Sequence, residues 1–454
     1  MSTLTELPGV LERSLKRRQT PGASVAVLRN NRIVAAEAAG VINLDTGVAA
    51  TVDTVFQVGS ISKPLTASLL MTLVDAGKVS LDVPVVEYLP NFRVADLKIS
   101  RSVTLRQLLS HQSGIDGDLF VDAGRGDDCI EKLLDMATMV PNLFPIGEKH
   151  SYCNLGYVVI GRIIEVIAGQ TYDQALRERL FDPLGMDHAV SLPEDTLKFR
   201  TAIGHVPGSK KGTWSVTSTP YLSFGQKAAG STPAMTATDL LKFAQMHLDN
   251  GRGIDGTRIL KAASVKAMQK RQIALQKHTA RAIKHWGLGW MLIDWDGQRL
   301  FGHDGATIGQ FAYLRVLPEK RLAIALLTNG GDAYGVYRDV FDHLFSGLAR
   351  IREPEQAPVN NQLTPDFTHY VGRYGNMLQQ VEISVGKGSL QAQYSFNGGT
   401  KPSRKLPLGF VDKHTLAFVT GDEVQDRVRL LFSEQRNGKM QYLADGMRQL
   451  VRID

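Results

Sequence analysis

Ser60-Ile61-Ser62-Lys63, within VGSISKPLTASLL (58–70), puts a hydroxyl and an amine three residues apart. A serine hydroxyl is a weak nucleophile near neutral pH and needs a base within hydrogen-bond reach. Lysine can be that base only while uncharged, and burial together with a cationic neighbour pushes its pKa down. A polar helix start above an apolar run satisfies the same spacing, and Ser384-Val385-Gly386-Lys387 repeats it in a glycine-containing turn. The first match differs in its place, just after a short apolar segment and at a helix start. There, unpaired backbone N–H groups favour negative charge developing on the serine.

Two more stretches carry groups that could complete such a centre. FPIGEKHSYCNLGY (144–157) holds Tyr152 and Asn154 as a Tyr-x-Asn pair ahead of an apolar helix. A phenol can share a proton with the lysine, although a buried tyrosine and an asparagine N-cap fit the same pattern. FGHDGATIG (301–309) places His303, Asp304 and Gly305 at the end of an expected strand, where a histidine alone is more often structural than catalytic.

These residues need a scaffold. ASVAVLRNNRIVAAEAAG (23–40) reads as a hairpin turning at Arg29-Asn30-Asn31-Arg32. A later cluster, 287–295, 299–303, 310–318 and 321–329, reads as antiparallel strands with short connections. Between them, helices are expected over 61–76, 105–111, 155–168, 172–180 and 237–249. In the first, Leu65, Leu69, Thr72 and Leu73 recur at helical spacing, Pro64 occupies the first turn and Gly77 is a C-terminal cap. Ser60 and Lys63 then share a face of the first turn. Strands from both chain ends with helices inserted between them imply one α+β unit.

The polar, proline-bearing stretch at 351–362 reads as a linker between a catalytic domain (1–350) and a C-terminal domain (363–454). In the latter, QVEISV, SLQAQYSF, TLAFVT, RVRLLFS and QYLADG alternate apolar and polar residues, as in a small antiparallel β-barrel of lipocalin-like form.

The order Ser60-x-x-Lys63, Tyr152-x-Asn154, His303-Asp304-Gly305 resembles the serine hydrolases of the penicillin-binding-protein and class C β-lactamase superfamily. LLSHQSGI (108–115) and AAGSTPAMTATDLLKFA (228–244) also look like that family, and the similarity spans roughly residues 5 to 348. The resemblance implies the β-lactamase-like fold, an antiparallel sheet flanked by helices with a helical subdomain. It implies that Ser60 is the acylated nucleophile, Lys63 its proton acceptor and Tyr152 a helper in acylation or deacylation. Asn154 would hydrogen-bond Lys63 and a substrate amide. The strand carrying His303, Asp304 and Gly305 would form one wall of the cleft, with Gly305 letting substrate approach closely. The backbone N–H groups of Ser60 and Ala306 would make an oxyanion hole. His303 departs from the Lys-Thr-Gly of most β-lactamases, and with Ser151-Tyr152-Cys153-Asn154 it looks more like the D-stereospecific aminopeptidases and esterases of the family.

The leading expectation is therefore a hydrolase of small peptides or amides, with a D-aminopeptidase as its specific form. A carboxylesterase or acyltransferase is the nearest alternative, a non-catalytic binding protein a more distant one, and a β-lactamase is disfavoured. No metal or other cofactor is expected, since the eleven histidines show no His-Glu-x-x-His spacing. Nor is there the Gly-x-Ser-x-Gly of an α/β-hydrolase. The 52 basic and 45 acidic side chains give a diffuse +7, without the basic stripe that nucleic acid requires. No window reaches the roughly 20 apolar residues of a membrane span, and the first twenty residues lack the apolar core of a secretory signal. With only Cys129 and Cys153, at most one disulfide could form. The expected setting is cytoplasmic, with a small-molecule or short-peptide substrate. The C-terminal domain is a candidate contact for a homo-oligomer, in which it would cover a neighbour's cleft.

Overall fold

The structure is a computed structural model that describes residues 2–210, 212–277, 282–386, 388–396 and 402–454. β1 (Gly22–Arg29) and β2 (Arg32–Gly40) form the expected hairpin. Asn30 and Asn31 both take positive φ at its turn, 50° and 64°, the conformation that matches strand twist in a two-residue hairpin. The short strand β3 (Phe56–Gln57) leads into the Ser60 segment, and β4 (His205–Pro207) pairs with β5 (Trp214–Val216). β6 (Ala234–Met235) pairs with β3. The main sheet is completed by β7 (Ile273–Ala274), β8 (Ile283–Trp286), β9 (Met291–Trp295), β10 (Gln298–Ala306), β11 (Phe311–Leu317) and β12 (Leu322–Thr328). Its order is β2-β1-β12-β11-β10-β9-β8-β7, so the N-terminal hairpin is zipped antiparallel onto the last strand.

The stretch 287–295 is not one strand. Gly287 donates to the Trp290 carbonyl in a turn at 2.8 Å, and β9 begins only at Met291. Helices cover both faces of the sheet. On one, Ser2–Arg18 packs with Ala333–Ala349 over Leu7, Leu11, Val336 and Phe341. On the other, a larger core buries the helix Ser62–Asp75 against Asn154–Ala168, both almost wholly apolar inward. The expected helix over 172–180 is α-helical only to Leu176, then widens into a π-type turn over Arg177–Phe181.

The C-terminal strands are β13 (Gly372–Gly375), β14 (Gln379–Gly386), β15 (Ser389–Phe396), β16 (Leu406–Asp412), β17 (Thr415–Phe418), β18 (Arg429–Arg436), β19 (Lys439–Asp445) and β20 (Arg448–Arg452). They close into an antiparallel barrel through β13 and β20, around a separate core that includes Tyr374, Leu390, Phe432 and Leu450. Cys129 and Cys153 are buried free thiols. No described helix is long and apolar enough to cross a membrane.

Candidate active site

The chain leaves β3, turns at Gly59 with φ +51°, and passes through a 3₁₀ turn, Gly59–Ile61, into the helix Ser62–Asp75. Ser60 therefore sits just ahead of the α-helix and not in its first turn. A Cβ at Gly59 would lie 2.5 Å from the Ala306 amide nitrogen, so only glycine lets this turn sit against the end of β10. The tighter turn still brings the expected pair together, with Lys63 Nζ 3.1 Å from Ser60 Oγ.

Lys63 is fully buried, and Nζ also donates to the Ala229 carbonyl at 2.6 Å. Burial drives its pKa well below the usual lysine value. The Arg448 cation adds to that fall, while Asp118 and Cys153 oppose it. A neutral amine can keep its bond to Ala229 and accept the Ser60 proton. Tyr152 offers its ring 4.7 Å from the same nitrogen. Its hydroxyl makes no well-formed hydrogen bond within the protein. Burial raises its pKa, opposed by the Ser60 hydroxyl and Arg448, so it is held as the phenol.

Asn154 differs from expectation. Its amide does not bond Lys63; Nδ2 donates to Asp118 Oδ1 at 2.8 Å, because a buried carboxylate is the stronger acceptor. Nor is it the helix N-cap. Cys153 fills that position, its Sγ accepting from Gly156 N–H at 3.3 Å.

On β10, His303 is wholly buried and its Nδ1 lies 2.6 Å from the Asp304 carbonyl. A carbonyl only accepts, so Nδ1 carries the proton and Nε2 keeps its lone pair. Burial pushes this imidazole down to about 3, so it is neutral rather than partly charged near pH 7. Asp304 reaches the cleft, but its carboxylate is tied to the buried Arg315 at 2.7 Å. Gly305 meets protein rather than leaving space for substrate: a Cβ there would fall 1.8 Å from the Val58 carbonyl oxygen and 3.1 Å from Ser60 N. The Ser60 amide thus lies beside Gly305, and the Ala306 amide beside Gly59.

The resulting cleft has a volume of about 440 Å³. Ser60, Tyr152, Asn154, His303, Asp304, Gly305 and Ala306 all line it, with Phe120, Leu222, Phe311 and Tyr334 as an apolar rim. Met447, from the β19–β20 turn of the barrel, and Arg448, the first residue of β20, line it too. Tyr152 N–H donates to the Met447 carbonyl at 2.8 Å, and Gln449 N–H to Ser151 Oγ at 3.1 Å. Arg448 binds Asp118 through Nε and, at 3.2 Å, through Nη2. The barrel thus enters the cleft of its own chain. Asp118 and Arg448 escaped the motif reading because neither lies in a repeated pattern. The accessory stretches do contribute: Ala229 caps Lys63, and His111 Nδ1 accepts from Cys153 N–H at 3.0 Å. Away from the site, Ser384 accepts from Lys405 at 3.2 Å, while Lys387 lies outside the described residues.

Comparison with known proteins places this geometry. The profile of the family described as Beta-lactamase matches residues 7–345. The chain is 45% identical over 357 residues to penicillin-binding protein 4 of Amycolatopsis lactamdurans, an alignment that covers 78% of this chain and 93% of that protein. The crystal structure of SurE with D-Leu superposes over 100% of both chains with a TM-score of 0.77 at 24% identity. D-amino acid amidase from Ochrobactrum anthropi SV3, complexed with D-phenylalanine, matches 76% of this chain and 100% of its own with a TM-score of 0.65 at 22% identity.

Proposed function

The chain belongs to the beta-lactamase family of serine hydrolases, and on that premise we propose that it transfers acyl groups from small peptides, amides or esters to water through an acyl-enzyme on Ser60. The observation that carries this reading is the 3.1 Å approach of a fully buried lysine amine to the Ser60 hydroxyl. Ser60 Oγ attacks the carbonyl while its proton passes to Lys63 Nζ. The negative charge moves to the carbonyl oxygen, toward the Ser60 and Ala306 amides, where fixed donors stabilise it most in the transition state. As the C–N or C–O bond breaks, Tyr152 gives its proton to the leaving group and is reprotonated by the Lys63 ammonium. Water then repeats the sequence against the ester, and Ser60 is restored.

SurE is described with D-Leu, and the neighbour named D-amino acid amidase is described with both D- and L-phenylalanine; these names motivate a D-configured residue on the acyl side. The charges in the cleft favour a particular form of it. Asp304 is paired with Arg315, and Asp332 with Arg18 at 3.3 Å and Arg427 at 3.5 Å. Among the described lining residues these are the only carboxylates, so an α-ammonium group has no unpaired partner. Donors without a free amine, N-acylated amides or esters, fit better than the substrates of an N-terminal aminopeptidase. Chiral pairs of amides and esters, with a β-lactam, test this. Turnover of L-donors equal to that of D-donors would remove the stereochemical part, and turnover of short esters alone would leave a carboxylesterase.

A further inference from the structure

With no well-formed hydrogen bond at its hydroxyl, the Tyr152 phenol is located by its backbone and by the rings beside it. Three consecutive amides fix that backbone. Ser151 N–H donates to the His111 carbonyl at 3.0 Å, Tyr152 N–H to the Met447 carbonyl at 2.8 Å, and Cys153 N–H to His111 Nδ1 at 3.0 Å. One residue, His111, therefore holds the amides on both sides of Tyr152. Its ring also lies against the phenol, with centroids 4.4 Å apart and planes tilted by 32°. Trp286 meets both rings near edge-on, 4.9 Å from His111 and 5.9 Å from Tyr152.

His111 follows the helix Leu105–Leu109 with φ +57°, a region that histidine and asparagine enter more readily than most side chains. From there its carbonyl and its ring nitrogen reach the same loop. Burial keeps the imidazole neutral; an imidazolium has no lone pair at Nδ1 and could not accept from Cys153. His111 is absent from the lining of the Ser60 cleft, so it meets neither substrate nor the reacting atoms.

We propose that His111 is the positioning residue for Tyr152: by holding residues 151 and 153 and flanking the ring, it keeps the phenol where it can give its proton to the leaving group. The proposal rests on the acyl-transfer reading, in which Tyr152 is that donor.

The test compares the ethyl and p-nitrophenyl esters of the faster N-acetyl-leucine enantiomer, since ethoxide needs a proton as it leaves and nitrophenolate does not. In His111→Gly, which accepts a positive φ and deletes the ring, kcat/KM for the ethyl ester should fall by about 10². For the nitrophenyl ester it should fall by less than about threefold, the same split expected of Tyr152→Phe. His111→Asn puts an amide oxygen at the position of Nδ1 and should recover most of the ethyl-ester rate. His111→Ala repeats the deletion if the glycine variant does not fold. Equal losses for the two esters, no loss, or no recovery in His111→Asn would each overturn the proposal. Failure of the acyl-transfer reading shows elsewhere, in a Tyr152→Phe variant that keeps the parental ratio of the two esters, and it would remove the role of His111 as well.

Discussion

The guanidinium of Arg448 lies 5.2 Å from the centre of the Tyr152 ring, the same ring that Lys63 Nζ approaches to 4.7 Å. One cation therefore comes from the barrel and one amine from the catalytic helix, with the phenol in contact with both. A permanent positive charge here disfavours a second one, which helps to keep Lys63 uncharged.

Arg448→Met removes that charge and leaves Asp118 unpaired, and both changes favour the ammonium form of Lys63. The acid limb of the kcat/KM profile should move to higher pH, because activity is lost as pH falls through a now higher Lys63 pKa. Asp118→Asn combined with Arg448→Met should relieve the unpaired carboxylate and recover the melting temperature. A profile unchanged in Arg448→Met, or a rise in KM with kcat intact, would assign Arg448 to substrate binding instead.

Lys63→Met keeps a long side chain in the core and deletes the base. Single-turnover acylation by an activated ester should slow by about 10³, with the melting temperature held or raised, since no buried amine then needs a partner. A rate within threefold or so of the parent would show that another group accepts the Ser60 proton.

Gly305→Ala forces a methyl group toward the Val58 carbonyl, 1.8 Å away in the parent geometry. The strand and the nucleophile turn must separate, at a cost of about 1–3 kcal/mol, and the amides of Ser60 and Ala306 are displaced with them. Thermal unfolding and acylation rate should both fall; a variant with parental values in each would contradict this packing.

Much of this arrangement was legible in the sequence, and the exceptions have physical reasons. Ser60 and Lys63 are near neighbours in the chain, so local geometry alone brings them together, and the β10 residues follow from strand alternation. Asp118 and Arg448 are 330 residues apart, and no periodicity reports a pairing set by the docking of two separate cores. Asn154 is expected to hydrogen-bond Lys63, but its amide donates to Asp118, which sits in an irregular loop that no sequence pattern reports. Gly305 was expected to face substrate. Glycine marks close approach in a sequence, but the sequence does not say what approaches.

Buried histidines set the acid stability. Burial holds His150, His247 and His303 down to about 3 and lowers His111 strongly. Below about pH 6.5 the unfolded chain binds protons that the folded one refuses, so stability falls as pH drops from that value toward 3. The melting temperature should decrease by more than about 5 °C between pH 7 and pH 4. His247→Gln, distant from the cleft, should flatten the slope; an identical slope would dissociate His247 from it.

Free amines should be poor donors. With Asp304 and Asp332 both ion-paired, the N-acetyl-D-leucine ester should exceed the D-leucine ester in kcat/KM by about tenfold or more at a pH where the free amine is charged. A preference for the charged amine would restore the aminopeptidase reading.

The most direct measurement is the intact mass of the folded protein after treatment with a fluorophosphonate, with peptide mapping of the product. One adduct is expected, on Ser60, absent from Ser60→Ala and formed far more slowly in Lys63→Met. Folded protein that takes up no adduct, or takes it up on another serine, would contradict the assignment of Ser60 as the nucleophile and favour a protein that binds without reacting.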